Sequence, residues 1–338
     1  MTVKIGRILT GLLLLAVCAA AIGAQVANRK EIEIVKPKAY SPRAPAASHG
    51  LKTMLDRVVA ETLKEYKEKN LSADQLAVTL VDLRDPANPV WADHRGESKI
   101  YPASVVKVFY MAALHQQLED GKIKLTDELE RGLRDMIVES SNEATQYILD
   151  VLTDTSSGAE LPQTEFELWQ YRRNRVNRYF MSMGFQNINV NQKTFCEDAY
   201  GIEQQSRNYK GENRNMLTTN ATARLLAEIA AGRSVNAERS SMMMGLLKRD
   251  PFADPKKANS QAVNFSGKAL IDRKLEGARL WSKAGWTSRT RHDAAYIEMP
   301  DGQKFAVAVF TENNSSETGI IPAVVGKIID GFSEIKGK

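Results

Sequence analysis

The chain has 338 residues, 43% hydrophobic and 26% charged, enough apolar material to bury a substantial core, and no internal repeat is apparent. A formal net charge of +5 and a pI near 9.0 imply at most attraction to anionic polymers or lipid surfaces, not a dedicated nucleic-acid binder. His49, His94, His115 and His292 are scattered without ligand spacing, which argues against a metal centre.

At the N-terminus, Lys4 and Arg7 form a charged start, Ile8 to Ala21 an apolar run, and Ile22-Gly23-Ala24 a small-residue cleavage site. That pattern reads as a secretory signal over residues 1–24, with an uncleaved membrane anchor as the alternative, and places the protein in the periplasm or outside the cell. Cys18 invites a lipoprotein reading, but the bulky Val17 precedes it where a small residue is expected. Beyond the signal only Cys196 remains, which excludes an internal disulfide. Residues 25–50, with Pro37, Pro42 and Pro45 among lysines, arginines and alanines, read as an exposed linker, and residues 51–338 as one enzyme domain.

Within that domain a helix opens at Leu51 and a strand is predicted over Leu76–Leu83. After Tyr101-Pro102-Ala103 comes Ser104-Val105-Val106-Lys107, continued by an apolar helical run from Val108 to Leu114. The i, i+3 spacing puts a hydroxyl and an amine one helical turn apart, and the helix dipole favours developing negative charge there, so Ser104 gains a base. Ser333-Glu334-Ile335-Lys336 fits the same pattern but lies in a polar tail. Ser140-Ser141-Asn142 marks a turn between two helices, followed by an insert from Thr153 to Trp169. The basic cluster Tyr171-Arg172-Arg173-Asn174-Arg175 reads as a solvated helix face, and Met242-Met243-Met244 as core filling. Lys283-Ala284-Gly285-Trp286 then precedes a predicted β-hairpin, with Ala294–Ile297 and Phe305–Phe310 joined through a Pro300-Asp301-Gly302 turn.

Each motif is weak alone. Ser-x-x-Lys, Ser-x-Asn and Lys-x-Gly in this order resemble the penicillin-recognising serine hydrolases, and among them most closely the class A β-lactamases. The resemblance runs from about Leu51 onward and includes the Thr-rich helix start at Leu217-Thr218-Thr219. It implies an α+β fold: an antiparallel five-stranded sheet, built from both chain ends and flanked by helices, beside an all-helical lobe, with the active site between them. A monomer needing no metal or cofactor is expected, with a small-molecule β-lactam or a peptidoglycan stem peptide as substrate.

On that resemblance Ser104 is acylated and Lys107 is the proton acceptor, burial and a second cation, Lys283, lowering its pKa. Ser140 bridges the two amines and relays a proton to the leaving nitrogen, and Asn142 holds the substrate's side-chain amide. The backbone N–H groups of Ser104 and Trp286 form the oxyanion hole, and Gly285 lets the substrate approach the edge strand. The substrate carboxylate needs a further cation, for which Arg291 is the first candidate, ahead of Arg289 and His292.

Two departures bear on substrate. Ala284 stands where the family has a hydroxyl residue, so one hydrogen bond to the substrate carboxylate is missing unless Thr287 or Ser288 replaces it. The family's deacylating glutamate, followed four residues later by asparagine, has no counterpart: counting from Met183-Gly184 reaches Thr194, and Glu197, Glu203 and Glu212 are followed at that spacing by Gly201, Arg207 and Met216. Glu197 is the nearest candidate base. Without such a base an acyl-enzyme persists, as in a D-alanyl-D-alanine carboxypeptidase; a non-catalytic protein that binds or senses a cell-wall fragment is the remaining alternative.

Overall fold

The computed structural model describes residues 33–41, 44–254, 256 and 259–336; the signal reading and Cys18 lie outside them. Seven strands form one sheet among the described residues, in the order β1-β3-β2-β7-β6-β5-β4. Five are long: β2 (Leu76–Asp82), β3 (Val90–His94), β5 (Arg279–Trp286), β6 (Thr290–Glu298) and β7 (Lys304–Glu312), antiparallel to one another wherever they pair. The other two, absent from the five-stranded expectation, are two-residue edge strands: β1 (Ala46–Ala47), parallel to β3, and β4 (Lys248–Arg249), antiparallel to β5. Such short pairings carry too few alternating residues to show in a sequence pattern.

Side chains alternate across the sheet. Leu76, Val78, Leu80, Ala284, Ala295, Val307 and Val309 face one core, closed by α1 (His49–Glu65), α11 (Ser266–Asp272) and α12 (Ile320–Lys336). Ala77, Val81, Ala294, Tyr296, Ala308 and Phe310 face the other, which the helical lobe shares. Strand β2 is buried along its whole length because both faces are covered. The hairpin turn falls where predicted: Gly302 takes φ +89° and its N–H donates to Met299 O at 3.0 Å.

The lobe is built around α2 (Lys107–Glu119), buried on every side from Lys107 to Leu118, as a helix apolar all round must be. Around it lie α3 (Asp127–Arg134), α4 (Asn142–Thr153), α5 (Gln163–Arg173), α6 (Arg175–Ser182) and α7 (Ile202–Arg207). Helix α8 (Thr219–Ala230) joins lobe to sheet: Thr218 caps it by accepting from Ala221 N–H at 3.1 Å, and Thr79 on β2 donates to Asn220 Oδ1 at 2.7 Å. Helices α9 (Ala237–Leu247) and α10 (Ser260–Val263) complete the set, with Met243 fully buried.

Two stretches differ from their reading. The basic cluster is no solvated face: Arg173 is wholly buried and pairs with Glu203 at 2.8 Å, and Arg175 is buried as well. The segment read as an exposed linker is mostly exposed where it is described, yet it is anchored to the domain at several points. Ile34 and Pro45 are buried, Glu33 pairs with Arg178 at 2.8 Å, and Tyr40 donates to Glu228 at 2.9 Å while accepting from Arg224 at 2.9 Å. Burial raises the Glu228 carboxyl's pKa, Arg224 and Tyr40 opposing it. Tyr40→Phe removes one donor from that buried carboxylate and is expected to lower stability by about 1–3 kcal/mol, read as a lower urea midpoint at unchanged slope.

Candidate active site

Ser104 does not open the long helix itself. It lies in a 3₁₀ turn, Ala103–Val106, from which α2 continues at Lys107. Ala103, immediately before it, holds φ +46°, a conformation that costs a residue with a Cβ about 1 kcal/mol or more and persists only where its surroundings impose it. Two contacts do so. His292 Nε2 lies 2.9 Å from Tyr101 O, while its Nδ1 accepts from Thr311 N–H at 3.1 Å, so β6 and β7 hold the approach to the turn. Burial lowers the His292 pKa to about 4, keeping the ring neutral with its one proton on Nε2.

The second contact is at Gly285. A Cβ there would lie 2.8 Å from Pro102 O, 2.8 Å from Ser104 N and 2.9 Å from Val105 N, all backbone atoms. Glycine therefore lets the end of β5 touch the serine turn, a closer reason for that residue than substrate approach. The contact brings the backbone before Trp286 alongside Ser104 N–H. The Trp286 side chain is 47% exposed and packs on Phe265, ring centroids 5.6 Å apart.

Lys107, one turn into the lobe, has no exposed surface. Its Nζ donates to Ser140 O at 2.6 Å, Asn142 Oδ1 at 2.9 Å and Ser141 O at 3.2 Å, with Ser140 Oγ at 3.4 Å. These acceptors converge because a π-helical turn, Asp135–Glu139, ends at Ser140 in the left-handed region (φ +61°) and Ser141 then caps α4, accepting from Ala144 N–H at 3.0 Å. Burial lowers the Lys107 pKa from its ordinary 10.5 to about 7, with Glu143 and Cys196 opposing the shift.

Lys283 reaches the same serine from β5. Its Nζ donates to Ser140 Oγ at 2.8 Å, Gln261 Oε1 at 2.9 Å and Ala284 O at 2.8 Å. Its pKa lies well below the ordinary lysine value, first through burial and then through Lys107 and Arg249.

The remaining expected residues are placed differently. Arg291 is on the sheet face away from Lys283: it pairs with Trp286 across β5 and β6, donates to Asn264 O at 2.8 Å and stacks on Phe265 at 4.0 Å. A period of two along β6 sets that face, and it does not bring the guanidinium to Ser140. Ala284 is fully buried in the core on that same face. Thr287 bonds within its own turn, to Thr290 Oγ1 at 3.1 Å. Glu197 is exposed, and the neighbour that meets the site is Cys196, whose Sγ accepts from Asn142 Nδ2 at 3.4 Å. Glu203 is committed to Arg173 and Lys193, and Glu212 pairs with Arg214 at the surface.

Three participants were missed in the sequence. Gln261 joins Lys283 to the π-helical turn, its Nε2 donating to Val138 O at 3.0 Å. Arg249 donates to Ile137 O at 3.0 Å on the same turn. Cys196 was weighed only as a disulfide partner. Gln261 and Arg249 follow no motif, and only three-dimensional proximity to Lys283 reveals them. Among the described residues no group of three or more histidine, cysteine or acidic side chains is arranged to hold a metal.

A serine turn and two buried lysines meeting at one serine hydroxyl, between an antiparallel sheet and a helical lobe, define the penicillin-recognising serine hydrolase class. Residues 58–330 match the profile described as the beta-lactamase enzyme family, and the chain belongs to that family. Among solved structures it is similar to a beta-lactamase from Sphaerobacter thermophilus, at 19% identity and TM-score 0.58, covering 83% of this chain and 97% of that one. It is similar also to PBP-A, at 15% identity and TM-score 0.58, covering 87% and 100%. A beta-lactamase from Xanthomonas campestris pv. campestris shares 14% identity at TM-score 0.57, covering 83% and 98%. At these identities the likeness speaks for the fold. No curated protein sequence matches.

Gly285→Ala places a methyl group against three backbone atoms and must push β5 from the serine turn. For the acylation of Ser104 proposed below, the expected outcome is a folded protein that reacts about 100-fold more slowly, the order of one lost oxyanion donor, measured by acylation kinetics beside a thermal melt.

Proposed function

We propose that this chain is an exported serine hydrolase of β-lactamase type that opens cyclic amides through an acyl-Ser104 intermediate. The observation that carries the reading is the Ser140 hydroxyl held between two buried amines, 2.8 Å from Lys283 Nζ and 3.4 Å from Lys107 Nζ. A fold alone would not require two lysines to be dehydrated together, since each loses solvation that the other cannot return.

Lys107 at a pKa of about 7 is half neutral at neutral pH and accepts the Ser104 proton as Oγ bonds to the carbonyl carbon. The oxyanion that forms lies against the N–H groups of Ser104 and Trp286. When the C–N bond breaks, Lys107 gives its proton to Ser140 Oγ, whose own proton passes to the leaving nitrogen. Lys283 donates to that oxygen throughout and steadies it as it exchanges protons. Asn142, its Oδ1 on Lys107, has its amide nitrogen directed to Cys196 and to the substrate's amide. Export rests on the charged, apolar and small-residue pattern of residues 1–24.

A second reading, a penicillin-binding peptidase acting on peptidoglycan stem peptides, is favoured by one observation: a thiol, and no carboxylate, meets Asn142 from the facing loop. The solved relatives include a mutant of PBP-A in an acyl-enzyme complex with penicillin G.

Intact-mass measurement of the protein with benzylpenicillin, with Ser104→Ala as control, tests both readings. An adduct of one penicilloyl group, absent in the control, is expected. Rapid loss of the adduct with accumulating penicilloate marks a β-lactamase; persistence over hours with release of D-alanine from a pentapeptide marks the peptidase. No adduct and no drug consumption would sink the acyl-serine reading. The rate of adduct formation should rise about tenfold per pH unit below 7 and level off above it, since the neutral amine is the acceptor. A flat profile between pH 5.5 and 8.5 would remove Lys107 as the base.

A further inference from the structure

We propose that Cys196 is the loop residue presented to the acyl group on Ser104 and that its thiol sets the lifetime of the acyl-enzyme; this rests on the acyl-serine reading above. The argument is one of register. Asn142, Gln146 and Asp150 are spaced by four and form one stripe along α4. Each holds one point of the loop running antiparallel beside it: Asp150 Oδ2 accepts from Lys193 Nζ at 2.6 Å, Gln146 Nε2 donates to Thr194 O at 3.2 Å, and Asn142 Nδ2 donates to Cys196 Sγ at 3.4 Å. Eight helical residues rise about 12 Å. Three extended residues span about 10 Å, so helix and loop keep step.

The far end of this stitching is locked. Lys193 Nζ also donates to Ser157 Oγ at 2.7 Å and lies 3.3 Å from Glu203, which is itself paired with the buried Arg173. Sliding the loop by one residue to bring Glu197 to Asn142 would pull Lys193 out of this network and leave buried carboxylates short of a partner. The register therefore delivers position 196, and position 196 is a thiol.

Deacylation requires water to bond to the ester carbon and lose a proton while the bond to Ser104 Oγ breaks and that oxygen regains one. A thiol is a weak hydrogen-bond acceptor and draws little on that water. A carboxylate at the same place would take the proton and return it to Ser104 Oγ.

The test uses the full chain and benzylpenicillin, with adduct formation and loss timed separately by mass. Cys196→Glu should shorten the adduct lifetime by roughly 100-fold, as a positioned general base does, while formation stays within about threefold of wild type. Glu197→Gln should leave the lifetime unchanged. Prolongation by Glu197→Gln, no change with Cys196→Glu, or a wild-type adduct lost within seconds would overturn the proposal. Should Cys196→Glu fail to fold, alkylation of the Cys196 peptide by iodoacetamide decides: bound penicilloyl should protect it, and an unchanged rate overturns the proposal. The register is read without any substrate, because Asp150→Ala should free the loop and speed that alkylation; equal rates overturn it. Faster alkylation in Asp150→Ala with no adduct in wild type would instead sink the acyl-serine reading and leave the register standing.

Discussion

The hydroxyl of Ser140 accepts from one buried lysine and stands within reach of another, and the geometry of the cleft follows from satisfying that arrangement. Lys107 comes from the helical lobe and Lys283 from the sheet, so the two halves of the domain are pinned at one oxygen. Placing that oxygen requires the π-helical turn, the left-handed conformation of Ser140 and the cap supplied by Ser141, the first two of which depart from regular structure where the two lysines meet. Gln261 and Arg249 are the braces behind it, bonding the carbonyls of that same turn.

The serine side of the cleft depends on a missing side chain. Gly285 admits the backbone of the serine turn to within contact of β5, and His292, neutral and inaccessible, fixes Tyr101 just upstream. Sheet, turn and helix start thus meet without intervening side chains, which is the condition for backbone N–H groups from separate elements to point at one developing charge.

Much of this was legible in the sequence because it is local. Ser104 and Lys107 are one turn apart whatever surrounds them, the hairpin announces itself through Pro300-Asp301-Gly302, and the apolar run after Lys107 had to be a buried helix. The order of three weak motifs then carried the fold. What escaped is what depends on partners distant in sequence. Arg173 reads like any basic residue of a helix surface until Glu203 arrives beneath it, thirty residues on. Arg291 was assigned to the cleft for its bidentate guanidinium on the segment just after Thr287, although counting by twos along β6 puts it with Asp293 and Ala295 on the other face. Cys196 had no local signal, since nothing in its neighbourhood reveals that α4 lays three side chains along the loop.

The dehydrated lysine has a consequence for the protein as a folded object. Unfolded, Lys107 binds its proton with the ordinary pKa of 10.5; folded, it does so at about 7. Between those two values the unfolded chain holds more protons than the folded one, so conformational stability climbs as pH rises across that window and is lowest below it, where a charged ammonium must be kept from water. Burying Lys107, the proposed base, therefore makes the native state most stable on the alkaline side, and this contribution is lost as pH falls from about 10.5 to about 7, where the buried amine itself takes up its proton.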